Sequence, residues 1–110
     1  DYLPHELMDI AMKMFADQNL QMHDIAKAQL LNYLEYLHQS KDKFFGNART
    51  VRTIVQEVIH NQNIRLSRMS ATELEGFDTR LIMAEDLKDL LPENDRRKAF
   101  DRPRLGFRKN

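Results

Sequence analysis

Two arginines near the middle of the chain are the residues best suited to do chemistry. Arg49 and Arg52 lie in the stretch FFGNARTVRTIV, residues 44–55. Gly46 permits a sharp turn and Asn47 can cap a helix that starts there. Arg49 then falls in the first helical turn, where free N–H groups and the helix dipole favour an anion, and its guanidinium can donate two parallel hydrogen bonds to a phosphate. Solvated arginines on an outer helix face are also common, so the spacing alone leaves both interpretations open.

Other chemistry has little support in the chain. Four histidines are scattered over different segments without a partner at metal-ligand spacing, so we predict no metal site: His5, His23, His38 and His60. The absence of cysteine excludes disulfides and thiolate ligands. No serine lies at a strand-to-helix elbow, and the pattern Gly-x-x-x-x-Gly-Lys-Ser/Thr does not occur. This chain alone should therefore not hydrolyse a nucleotide.

The elements that must position the arginines are mainly helices. Apolar residues recur at three- and four-residue spacing, which predicts helices over 4–18, from 24 to 39, from 47 or 48 to about 66, and over 84–91. The expected fold class is all-α, a bundle of four helices. Residues 20–22 and 81–83 are the strand candidates, and if they pair they add a minimal two-stranded sheet. The stretch ELEG is at best a short helical turn.

Particular residues are expected to end or cap these helices and to fill the core. Asn19 can close the first helix in a left-handed conformation, and Asp24 is a plausible N-cap of the second. The stripe of the third helix includes Gln62 among its apolar residues. The core that positions Arg49 should include eight apolar residues: Leu7, Phe15, Leu30, Leu34, Val51, Val55, Val58 and Leu81.

The C-terminal segment differs in charge from the rest of the chain. Lys plus Arg and Asp plus Glu both number 17, but residues 92–110 hold seven basic and three acidic residues, which leaves a local excess of +4. We therefore predict a domain over 1–91 and a basic tail with little fixed structure over 92–110. The tail is either a solvated terminus or a docking arm for an acidic partner or nucleic acid, to which Phe100 and Phe107 would contribute.

The remaining composition points to a globular protein. At 110 residues the chain can build one core. No apolar run approaches the roughly 18 residues that a membrane span needs, and no signal-peptide pattern opens the chain, so we expect a cytoplasmic protein without a membrane partner. The first residue is Asp1 rather than Met. We expect a piece of a longer protein, whose remainder holds further machinery.

Four stretches in order closely resemble one family. FFGNARTVRTIVQEVIHNQNIRL resembles the F-G-N-A-R-x-V-R-N segment in the C-terminal helical lid of an AAA+ ATPase family. That family includes the red-type Rubisco activases, the stage V sporulation protein K group and the ATPases of type VII secretion systems. DYLPHELMDIAMKMF resembles the start of that lid, LLNYLEYL its second helix and LIMAEDL its ending. The resemblance covers residues 1–91.

The resemblance implies a four-helix lid bundle and a role for each residue of the motif. Arg49 corresponds to the sensor-2 arginine, which reaches the γ-phosphate of ATP, with Gly46 and Asn47 shaping the preceding turn and Arg52 matching the second arginine. The implied cofactor is ATP, with Mg²⁺ held by the large nucleotide-binding domain of the same chain. The implied partners are that domain and neighbouring subunits of a homo-hexameric ring, which couples nucleotide state to remodelling of a protein substrate.

Some residues depart from the family pattern, and two other functions stay open. Leu3 stands where Ser or Thr usually caps the first helix, Thr53 replaces Asn after Arg52, and Met83 replaces Thr before AEDL. One rival is a stand-alone nucleic-acid-binding module that uses Arg49, Arg52 and the tail, although the body is net acidic. The other is a helical protein-interaction module.

Overall fold

The computed structural model describes residues 2–40 and 48–90 and confirms a helical bundle with a very small sheet. The elements run in this order: α1 (Pro4–Asp17), β1 (Gln21–Met22), α2 (Asp24–Gln39), α3 (Ala48–Ser67), α4 (Ala71–Glu75), β2 (Leu81–Ile82) and a 3₁₀ helix (Ala84–Leu90). The segment expected to form at best a helical turn is α4. The predicted tail 92–110 and most of the predicted loop before α3 lie outside the described residues.

Local sequence accounts for both ends of α1. The Leu3 side chain cannot cap the helix, but Glu6 reaches back, and its Oε1 accepts a hydrogen bond from the Leu3 N–H at 2.8 Å. Pro4 occupies the first helical position, where its missing N–H leaves no bond unmade. Asn19 follows the helix with a φ of 63°, the predicted left-handed conformation.

The N-cap of α2 is His23, so the prediction of Asp24 is wrong by one residue. His23 has an extended backbone, and its Nδ1 accepts a hydrogen bond from the Ile25 N–H at 3.2 Å. A neutral imidazole protonated on Nε2 can accept in this way. Asp24 is already helical and lies in the first turn, where its carboxylate still favours the positive end of the helix dipole.

One core holds the long helices together. Leu7, Ala11 and Phe15 form the buried face of α1, and the buried faces of α2 and α3 complete the same cluster. Seven of the eight predicted core residues are buried there, and each is at most 2% exposed. Leu81 is the exception, because it is only partly buried while its neighbour Ile82 is fully buried. Successive side chains of a strand point to opposite faces, and the inward position in β2 is the second one.

The predicted strands do pair, and they join the start of α2 to the C-terminal part of the bundle. β1 and β2 run parallel, with Gln21 opposite Leu81 and Met22 opposite Ile82. The Gln21 N–H donates to the Arg80 carbonyl at 2.9 Å, and the His23 N–H donates to the Ile82 carbonyl at 2.8 Å. This small sheet fixes where the segment after α4 returns to the core.

Replacing Leu30 with Ala should destabilise the bundle because it leaves a cavity in the shared core. We expect the free energy of unfolding to fall by about 2–5 kcal/mol, measured by urea titration. Ile25→Ala is the matched control, since Ile25 lies on the same helix and is 58% exposed. The control should change that free energy by no more than about 0.5 kcal/mol. Equal losses for the two variants would contradict this core.

Candidate functional site

The structure places both predicted phosphate-binding arginines at the beginning of α3. Arg49 is the second residue of the helix and Arg52 is the fifth. Both side chains are exposed, and neither has a hydrogen bond or ion pair with another described residue. The first turn of α3 carries no acidic residue. Gly46 and Asn47 lie outside the described residues, so their predicted part in the turn stays a prediction.

The two arginines lie on the same side of α3, away from the core. Three residues correspond to about 300° of rotation and about 4.5 Å of rise, so the side chains leave the helix about 60° apart. Val51, Val55 and Val58 on the opposite side are buried. The helix is thereby held in the core, and both guanidinium groups, unpaired with any described residue, lie where one anion with several charges could meet them.

A second polar cluster lies at the other end of α3 and is largely buried. The Asp86 carboxylate is 1% exposed, and the Arg65 side chain is 12% exposed. Arg65 donates from Nε to Asp86 Oδ1 at 2.9 Å and from Nη2 to Oδ2 at 3.2 Å. The same Nη2 donates to the Leu81 carbonyl at 3.2 Å, and the Met83 N–H donates to Asp86 Oδ2 at 2.9 Å. A buried charge with this many partners avoids most of the free-energy penalty of leaving water.

Two amide side chains extend this cluster along α3. Gln62 is buried, and its Nε2 donates to the carbonyls of Thr79 at 3.0 Å and Leu81 at 3.2 Å. Asn61 Nδ2 donates to the Asp86 carbonyl at 3.1 Å and to Asp89 Oδ2 at 3.3 Å. Three polar side chains of α3 therefore hold the segment from Thr79 to Asp89.

An open cleft of about 430 Å³ adjoins this cluster between α3 and the 3₁₀ helix. Its lining combines three basic and three acidic side chains with one amide and one apolar residue: Asn61, Ile64, Arg65, Arg68, Glu85, Asp86, Lys88 and Asp89. Arg68, three positions after Arg65, and Glu85, directly before Asp86, are exposed. The polar cluster is thus covered on its core side and faces solvent on the cleft side.

The described residues bear on two functions considered from the sequence, metal binding and membrane insertion. Within 2–40 and 48–90, no three His, Asp or Glu side chains come together in a way that could hold a metal ion. None of the helices in that part of the chain is long and apolar enough to cross a membrane. The cytoplasmic location stays a prediction.

A comparison with known families decides the class of the domain. The family model described as the AAA lid domain matches residues 3–99, which is most of the chain. This chain belongs to the AAA lid domain family.

Curated relatives of the lid domain agree with that assignment. This chain is 32% identical over 87 residues to the chloroplastic ribulose bisphosphate carboxylase/oxygenase activase of Cyanidioschyzon merolae. It is 30% identical over 87 residues to the CfxQ homolog protein of Galdieria sulphuraria. Each match covers 79% of this chain but only 29% and 28% of the relative, so the lid domain spans less than a third of either protein. No solved structure matches it significantly.

Sequence reasoning missed the buried cluster of the lid domain. Gln62 was included in the apolar stripe of α3 without a role, and Arg65 and Asp86 were not singled out. One signal was present, since an amide inside an apolar stripe needs polar partners when it is buried. That signal did not identify the ion pair beside Gln62, because Arg65 and Asp86 are 21 residues apart in the sequence.

Asp86→Ala should destabilise the lid domain, because it leaves the Arg65 guanidinium partly buried without its carboxylate. We expect a loss of about 3–5 kcal/mol in the free energy of unfolding, measured by urea titration. The control is Glu85→Ala, which removes a carboxylate from the exposed neighbouring position. Similar unfolding midpoints for the two variants would show that the buried pair does not support the fold.

Proposed function

We propose that this chain is the C-terminal lid of an AAA+ ATPase and that Arg49 is its sensor-2 arginine, in contact with the γ-phosphate of ATP. The observation that carries the proposal is an exposed arginine in the first turn of α3, in a chain that belongs to the AAA lid domain family. The nucleotide and Mg²⁺ would be held mainly by a large nucleotide-binding domain of the same protein. The lid alone has no P-loop sequence and is not an enzyme in this proposal.

The chemistry at Arg49 is electrostatic. A guanidinium can donate two parallel hydrogen bonds to phosphate oxygens, and N–H groups at a helix N-terminus favour the same negative charge. In solution the exposed side chain is screened by water and salt. Packing against a nucleotide-binding domain would exclude part of that water and strengthen the contact. Arg49 would then stabilise charge that develops on the γ-phosphate during hydrolysis.

The neighbouring motif residues have supporting roles in this proposal. Gly46 and Asn47 shape the turn that brings α3 to the nucleotide. Arg52 adds a second positive charge on the same side of the helix and contributes to binding the phosphates. Thr53, which stands where the family has Asn, donates its hydroxyl to the Arg49 carbonyl at 3.2 Å and stays within the helix.

A contact that exists with ATP and not with ADP can drive movement of the lid. A ligand shifts a conformational equilibrium only through a difference in its affinity for the two states. The γ-phosphate supplies such a difference at Arg49, so its loss on hydrolysis releases the start of α3. In a homo-hexameric ring this change would be passed to neighbouring subunits and used to remodel a protein substrate.

Arg49→Ala in the full-length protein should lower the rate of ATP hydrolysis because it removes positive charge from the transferring phosphate. We expect a decrease on the order of 10²-fold in kcat, measured in a steady-state ATPase assay. The matched control is Arg68→Ala, an exposed arginine that directly follows the C-terminal end of α3. It should hydrolyse ATP at close to the unsubstituted rate.

The urea midpoint of the lid domain shows whether a lower rate of ATP hydrolysis comes from the lost arginine or from unfolding. The Arg49 side chain is exposed and has no hydrogen bond or ion pair with another described residue, so Arg49→Ala should leave the urea midpoint of the lid unchanged. Unchanged turnover in the full-length variant would remove Arg49 from the proposed role. A further check is the sequence upstream of Asp1 in the gene, where a Walker A motif roughly 150–200 residues earlier is expected.

A further inference from the structure

The two ends of α3 have opposite environments. Arg49 is exposed at the start, whereas Arg65 is largely buried near the end and bonded to Asp86. Arg65 follows Arg49 by sixteen positions of continuous helix, which corresponds to about 24 Å. Because α3 is one continuous helix between these ends, a displacement at Arg49 carries the far end with it.

The segment that follows Leu81 packs against more than one helix. The 3₁₀ helix contacts both α2 and α3, and Leu87 and Leu90 are buried in the shared core. Apolar contacts are non-directional and allow small sliding movements between packed surfaces. Directional hydrogen bonds are different, because they hold two elements in one relative position. The side chains of Asn61, Gln62 and Arg65 on α3 donate such bonds to acceptors in residues 79–89.

We propose that Arg65 and Asp86 are positioning residues of the ATPase cycle. Their ion pair fastens the 3₁₀ helix to α3, so that residues 81–90 follow α3 when the Arg49 contact with phosphate forms or is lost. This inference rests on the proposed sensor-2 function of Arg49. The buried pair then has a task beyond stability, namely transmission of the nucleotide-dependent movement of α3 to residues 81–90.

The geometry of the pair suits this task. Both oxygens of the Asp86 carboxylate are engaged, Oδ1 by Arg65 Nε and Oδ2 by Arg65 Nη2 and the Met83 N–H. Asp86 therefore joins the start of its own 3₁₀ helix to α3 through a single side chain. Arg65 also donates to the Leu81 carbonyl in β2. Rotation or sliding of the 3₁₀ helix on α3 would break several of these bonds together.

The test uses the full-length protein with Arg65→Met and Asp86→Leu combined. Replacing both partners of a buried ion pair with apolar residues of similar size can preserve stability, whereas a single replacement leaves a charge unpaired. Arg68→Met is the matched control, since it removes an exposed arginine less than one turn from Arg65. Thermal unfolding of each variant confirms that the domain is folded.

Two measurements report on positioning. Spin labels at Gln56→Cys and Glu85→Cys, both exposed positions, give the distance between α3 and the 3₁₀ helix with ADP and with a non-hydrolysable ATP analogue. The unsubstituted and control proteins should keep one narrow distance in both states. The double variant should show a broader distance distribution that depends on the nucleotide. Its kcat for ATP hydrolysis should fall while its KM for ATP stays unchanged.

Several results would overturn the inference. A narrow, nucleotide-independent distance in the double variant would mean that packing alone positions the 3₁₀ helix. A rise in KM equal to the loss in kcat would mean that the pair only supports the fold around the nucleotide. If the double variant does not fold, Arg65→Lys keeps the charge without the bidentate bond, and an unchanged kcat there would likewise overturn it. The sensor-2 proposal is tested separately by the ATPase rate of Arg49→Ala, in which Arg65 and Asp86 are unchanged.

Discussion

The ion pair between Arg65 and Asp86 is the contact on which the arrangement of the C-terminal half depends. A carboxylate with 1% exposure is stable inside a domain only when its oxygens have good partners. Asp86 meets this need with Arg65 and the Met83 N–H, and in doing so it fixes the start of the 3₁₀ helix. The path of the chain from β2 to Leu90 is thereby tied to the last turns of α3.

This contact gives α3 two different functions along its length. Its first turns leave Arg49 and Arg52 unpaired with any described residue, which suits binding of a ligand supplied from outside the domain. Its last turns use Asn61, Gln62 and Arg65 to hold other elements of the same domain. The apolar residues between them anchor the helix in the core. In the proposed function, this one helix binds an anion at its first turn and holds residues 79–89 at its last turns.

The same division fits the proposal that the lid acts together with a nucleotide-binding domain. An exposed arginine at a helix start attracts phosphate weakly in water, because solvent and salt screen its charge. The match to the AAA lid domain family and the length of the relatives are consistent with a second domain that would enclose the nucleotide. Within the lid, the structure supplies a rigid support for Arg49 rather than a closed binding pocket.

Much of the local structure was predictable from the sequence alone. Helical periodicity predicted α1, α2 and α3 and the exposure of Arg49 and Arg52, and Asn19 was predicted to be left-handed, because each depends on residues close in the chain. The tertiary structure decided which of two adjacent residues was used at His23 and Ile82, where a shift of one position changes the cap or the buried face. It also decided the pairing of Arg65 with Asp86. Such a contact depends on how helices pack across 21 residues of sequence, and no local pattern encodes that distance.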